Sequence, residues 1–196
     1  MSEILVNTIK KADGTGSITV PADSGTLLTS ASSIPVANLD SAVGITEADQ
    51  WRVTTNFTSL GTDVTSNWER NDTDFDKIGT GMTESSGIFT FPSTGIWKVS
   101  YNIIGRDNVV LTYGRCRIYF STDAGSNYTE RAEGYGGWGD KSGSTYEGFY
   151  AEVILDVTDV SQNRVKFKVD AGATITWEGS GAFQRHGATF IRLGDT

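Results

Sequence analysis

Between Gly87 and Ile103 the chain reads GIFTFPSTGIWKVSYNI, and apolar and polar positions alternate through it. Trp97, Val99, Tyr101 and Ile103 interleave with Lys98, Ser100 and Asn102, the period of a strand with one buried and one wetter face. Phe89 and Phe91 flank Thr90 in the same way. Pro92 has no backbone N–H to give a ladder and Gly95 accepts a positive φ, so the chain is expected to turn between them. The alternation recurs in Cys116/Ile118/Phe120, in Phe149/Ala151/Val153/Leu155 and in Val165/Phe167/Val169. Strands are predicted near 51–57, 63–69, 76–82, 87–91, 96–104, 109–121, 146–157, 164–170, 174–178 and 188–193. Ten strands without a long helix between them predict an all-β sandwich of two sheets, a jelly roll in particular. Thr46 and Asp49 in TEADQW stand at capping-box spacing, which predicts a brief helical turn leading into this body.

The first 44 residues differ. EILVNTI and SITV read as short strands around an Asp13-Gly14 turn, and the stretch after Pro21 is rich in Ala, Gly, Ser and Thr with no aromatic residue. Pro35 is placed to open a short helix and Gly44 to close it, with Val36, Leu39 and Val43 along one stripe. So short a helix does not stand alone in water, so its stripe needs a partner. The expected organisation is an arm or stalk over 1–50, for attachment and trimerisation, and a head domain over 51–196. The apolar positions that would carry attachment are Ile4, Val6, Ile18 and Val20, then Leu27 and Leu28, then Val36, Leu39 and Val43.

Composition narrows the function classes. The 196 residues carry a formal charge of −8 and no basic run, which excludes a phosphate-binding surface for nucleic acid. No apolar run is long enough to span a membrane, and the N-terminus lacks the pattern of a secretory signal. Cys116 is the single cysteine and is expected as a buried, inert thiol in a chain made in a reducing cytoplasm.

GIFTFPSTGIWKVSYNI resembles the central motif of C1q/TNF-like jelly rolls: a Phe, a Pro-x-x-Gly turn, then an aromatic residue opening an alternating strand. HGATFIRL is similar to that family's last inner strand. ADQWRVTTNF, IGTGMTESSGIFTFPSTGIW and FSTDAGSNY resemble C1q-like domains of tailed-phage virion proteins, and EILVNTIKKADGTGSITVP resembles the N-terminal arms of marine phage fibre proteins. The likeness covers most of 51–193. It implies a ten-stranded jelly roll that assembles as a compact homotrimer. The abundance of aromatics agrees, because it exceeds what one private core is expected to need. Trp51, Phe89, Phe91, Trp97, Val99, Tyr101 and Phe190 are the residues expected to serve core and trimer packing.

Candidate chemistry is sparse. His186 is the only histidine, so a His-rich metal site is excluded and no catalytic triad can be assembled; a turn or interface role is expected. Asp72, Asp74 and Asp76 alternate like the start of a calcium loop, but Lys77 and Thr83 stand where an EF-hand requires Gly and Glu. A solvated strand edge is the expected account, with an irregular calcium site left open. The stretch 121–146 is Gly-rich and polar and is expected as a loop, in which Tyr135 and Trp138 are expected to pack onto their own sheet or a neighbouring subunit. The alternative is that the loop presents Tyr128, Tyr135 and Trp138 to a sugar or a protein, with Asp123, Asn127 and Asp140 as hydrogen-bonding neighbours.

The resulting expectation is a non-enzymatic structural protein of a tailed-phage virion, without cofactor or metal. It would be a homotrimer that decorates or cements the capsid, or forms a short head fibre, with its arm on other virion proteins. The alternative is a tail-fibre or tail-tip adhesin that binds a host surface glycan or protein. The chain is short for a long fibre and has no extended shaft, which favours the first. Further rivals are a glycan hydrolase on a jelly-roll scaffold, which lacks the required carboxylate cleft, and a free bacterial lectin.

Overall fold

The structure is a computed structural model that describes residues 8–10, 17–19, 44–139 and 143–196. The chain divides into two compact units, Met1–Val43 and Gly44–Thr196. In the first, β1 (Thr8–Lys10) pairs antiparallel with β2 (Ser17–Thr19), with Ile9 opposite Ile18. The helix expected over 35–44 and the Asp13-Gly14 turn lie outside the described residues.

The second unit is β-structure with no helix among its described residues. Its strands are β3 (Ala48–Val53), β4 (Phe57–Asp63), β5 (Trp68–Arg70), β6 (Lys77–Ile78), β7 (Thr83–Ser85) and β8 (Ile88–Thr90). They continue as β9 (Gly95–Asp107), β10 (Leu111–Ser121), β11 (Thr129–Trp138), β12 (Thr145–Val157), β13 (Arg164–Trp177) and β14 (Gly187–Gly194). One layer runs β5–β3–β14–β9–β12. The other runs β11–β10–β13, and the free edge of β13 is taken first by β8 and then by β4. Thr176 and Trp177 of β13 reach across to Arg106 and Gly105 of β9 and tie the layers together. This is a jelly roll, closed so that few strand edges stay open.

The period-two residues make the core. Val99, Tyr101, Cys116, Ile118, Val165, Phe167 and Val169 are fully buried between the sheets. Edge-to-face aromatic pairs fill the interlayer space: Trp68 on Phe89 at 5.1 Å, Phe91 on Trp97 at 5.2 Å and Phe89 on Phe167 at 5.5 Å. Each such pair contributes about 0.5–1.5 kcal/mol beyond its burial. The predicted turn before β9 is present: Gly95 has φ +140°, and the Trp97 indole N–H donates to the Ser93 carbonyl at 3.2 Å.

Several expectations are corrected. No helical turn forms at Thr46–Asp49, because β3 already begins at Ala48. The Asp49 carboxylate, almost fully buried, does not cap a helix. It accepts from the Met82 backbone N–H at 2.7 Å, the Trp51 indole at 2.9 Å and the Arg70 guanidinium at 3.0 Å. Partners far along the chain outcompete the local cap. The strand expected at 76–82 shrinks to Lys77–Ile78, and Asp72 and Asp74 lie exposed in a turn rather than on a strand edge. The strands expected separately at 164–170 and 174–178 are one strand, β13, with an irregularity between Asp170 and Ile175 in its pairing to β4.

His186 sits in the bend that leads into β14, a turn position as expected, but its side chain points into the core. It is fully buried, with its Nε2 at 2.7 Å from the Tyr101 hydroxyl and Phe57 and Trp68 packed around it. Desolvation pushes its pKa down to about 3, so it is a neutral core residue. Burial likewise pushes the Cys116 thiol up to about 12, which makes it unreactive.

Candidate functional site

The residues expected to serve core and trimer packing lie in or against the core of their own chain. Phe89, Val99, Tyr101 and Phe190 are fully enclosed by their own chain; Phe91 and Trp97 are nearly so, and only Trp51 is partly exposed. These residues are therefore absorbed by the core of one chain, while Tyr135, Tyr146, Tyr150 and Phe183 stay exposed.

What remains outside is the solvent face of the β3–β14–β9–β12 layer. Because β12 alternates, Phe149, Ala151 and Leu155 point inward while Tyr146, Tyr150 and Ile154 point outward, about 60% exposed (60%, 56% and 61%). The register sets Tyr146 opposite Arg106, Gly148 opposite Ile104, Tyr150 opposite Asn102 and Ile154 opposite Lys98. Lys98 is in turn opposite Ile191 on β14. Gly148 has no side chain and nothing within 4 Å of the place one would occupy, so an open slot lies between Tyr146 and Tyr150, with Ile104 opposite it on β9. Beside it, Lys98 Nζ meets Glu152 at 2.8 Å, and the Tyr150 hydroxyl donates to the same carboxylate. The hydrogen bond from Lys98 holds the Glu152 pKa below its ordinary value, and the hydrogen bond to Glu152 raises that of Lys98. An aromatic knob, an open slot and an ion pair give a face that has both apolar area and means to fix register.

This face was not singled out from sequence. The available signal was that β12 carries apolar residues on both of its faces, the mark of a strand covered on both sides.

The loop expected over 121–146 is mostly not a loop. Residues 129–138 form β11, paired along β10. Glycine there serves close packing rather than flexibility: a Cβ on Gly134 would lie 2.0 Å from the Tyr150 carbonyl oxygen of β12. Trp138 is buried, and its indole donates to the Val109 carbonyl at 2.6 Å, so it is not available to a ligand. Tyr135 is exposed on the solvent side of β11, stacked on Tyr113 at 5.9 Å. Asp123 and Asn127 are engaged with each other: Asp123 accepts the Asn127 backbone N–H at 2.9 Å and its side-chain amide at 2.7 Å. Those bonds, with one from Ser121, lower the Asp123 pKa to about 2. Tyr128 belongs to the turn before β11, beneath Lys166. Asp140 lies outside the described residues.

The structure therefore does not bring the five described loop residues, Asp123, Asn127, Tyr128, Tyr135 and Trp138, together into one site. Tyr128 joins a separate cleft with Asp63 and Lys166 on the β11–β10–β13 layer. Of the nine arm positions, Ile18 lies in β2, and the other eight lie outside the described residues. Among the described residues no three His, Cys, Asp or Glu side chains converge as metal ligands.

No family model and no curated protein matches the sequence. Solved structures do match. Murine APRIL superposes with a TM-score of 0.56 at 12% identity, covering 75% of this chain and 98% of APRIL. The Eiger TNF of S. frugiperda superposes with a TM-score of 0.58 at 12% identity, covering 76% of this chain and 93% of that one. At this identity the likeness concerns the fold, and the body of this chain is a TNF-like jelly roll.

Proposed function

We propose that this chain is a non-enzymatic structural protein of a tailed-phage virion. It acts as a homotrimer assembled through the outward face of β12 and its neighbours, and its N-terminal segment anchors it to the particle. The role is capsid decoration or cementing, or a short head fibre. The observation that carries the assembly is the Tyr146–Tyr150–Ile154 face, left exposed by a body whose core is otherwise complete. A ring of three is the arrangement that the C1q/TNF-like resemblance implies. Obligate interfaces of this kind bury roughly 2,000 Å² or more. The virion assignment rests on the resemblance of ADQWRVTTNF, IGTGMTESSGIFTFPSTGIW, FSTDAGSNY and EILVNTIKKADGTGSITVP to segments of phage virion proteins.

The test separates assembly from anchoring. Deletion of residues 1–43 is expected to leave a soluble trimer by sedimentation that no longer incorporates into particles of the encoding phage. Incorporation at the wild-type level would remove the anchoring role, and a monomeric full-length chain at micromolar concentration would remove the assembly.

A further inference from the structure

The free edge of β13 changes partner in mid-strand. Ile88 of β8 sits opposite Lys166, whereas Asp63 of β4 sits opposite Lys168, and the handover is marked by the Val64 N–H donating to the Phe167 carbonyl at 3.0 Å. Two strands placed end to end leave a notch between them, and the turn before β11 supplies the notch's far wall. The result is a cleft of about 340 Å³, the lower end of the size range for small-molecule sites.

Its chemistry is specific. Lys166 Nζ stands 2.8 Å from Asp63 Oδ2 and 4.4 Å over the Tyr128 ring. Both heads keep some exposure, so each retains hydrogen-bonding capacity toward the cleft: the ammonium as donor, the carboxylate as acceptor. Their separation is that of the two oxygens of a vicinal diol, so one hydroxyl can donate to Asp63 while its neighbour accepts from Lys166. The carboxylate cancels the ammonium charge and stands where an anionic group would have to lie, so a phosphate, sulfate or carboxylate ligand is disfavoured. The wall adds partly exposed apolar surface at Ile88, suited to the C–H face of a sugar ring, and Ser86 and Ser126 place hydroxyls at the rim. Beneath Gly125 the Tyr128 hydroxyl is buried without a hydrogen-bond partner among the described residues. It is a polar group that a ligand hydroxyl would satisfy once the Gly125–Ser126 turn yields. The cleft lies on the layer opposite the proposed assembly face.

We propose that the Asp63–Lys166 cleft is a saccharide subsite that grips an uncharged sugar ring through a vicinal diol. The experiment is saturation-transfer NMR on the full-length chain with the methyl glycosides of mannose, galactose, glucose and rhamnose at millimolar concentration. At least one is expected to receive saturation, and its analogue with the vicinal hydroxyls methylated is not. Lys166→Met and Asp63→Asn are each expected to weaken binding at least about tenfold, the loss of one charge-assisted hydrogen bond. Ser126→Trp, which fills the mouth without touching the ion pair, is expected to abolish transfer while the melting temperature holds. Silence from all four glycosides, or transfer that survives Ser126→Trp, overturns the assignment. Sedimentation of the same samples reports the assembly separately, so the two readings fail independently.

Discussion

Replacing Ile154 by lysine puts the assembly face to a direct test. In the single chain Ile154 is 61% exposed and points away from the core, so the substitution removes nothing from the jelly roll itself. Fully burying an isoleucine side chain contributes about 1.5–3 kcal/mol. Covering the exposed fraction against a neighbouring copy therefore contributes about 1–2 kcal/mol per subunit. Three subunits lose this together, about 3–6 kcal/mol per trimer, or about two to four decades in the association constant. The register adds a separate cost to the fold of each chain, because the new ammonium would stand opposite Lys98 and contest its pairing with Glu152. Like charges directly opposite on a sheet are destabilising. The assay is sedimentation velocity across a nanomolar to micromolar series. The variant is expected to run as a folded monomer where the wild type is trimeric, with an unchanged far-ultraviolet circular dichroism spectrum. Its melting temperature should also stop depending on protein concentration, since that dependence comes from assembly. An Ile154→Lys variant with wild-type trimer stability would show that another surface holds the copies together.

Two further predictions concern the body. Because desolvation places the folded-state pKa of His186 near 3 against an ordinary 6.5, both states are neutral above pH 6.5 and the chain there has its full stability. As pH falls below 6.5 the unfolded chain takes up a proton that the native state refuses, and stability falls by up to about 1.4 kcal/mol per pH unit. His186→Gln, which cannot titrate, is expected to lose the slope between pH 6.5 and 5 in urea midpoints, and an unaltered slope would refute the buried neutral imidazole. Asp49→Ala removes the acceptor shared by Met82, Trp51 and Arg70 and is expected to cost about 3–5 kcal/mol, with Asp49→Asn costing less. A loss below about 1 kcal/mol in urea denaturation would show that solvent replaces the carboxylate.

The alternating residues by themselves determined the fold class. Trp97 to Ile103, Phe149 to Leu155 and Val165 to Val169 bury the faces that period two assigns them, because side-chain alternation is a property of the local backbone and needs no knowledge of partners. The turn at Gly95 was legible for the same reason. Local signals failed where a distant partner decided. Asp49 reads as a cap until Arg70 and Met82 arrive, and the glycines of β11 read as a loop until β12 closes against Gly134. The aromatic residues announced a large core, but composition carries no count of how much apolar surface one sandwich can enclose. Only the packed structure decided that Phe89, Tyr101 and Phe190 are interior and that Tyr146, Tyr150 and Ile154 face solvent. The Asp63–Lys166 cleft was beyond the sequence altogether: its two charged residues are about a hundred positions apart, and they meet because β13 exchanges one edge partner for another.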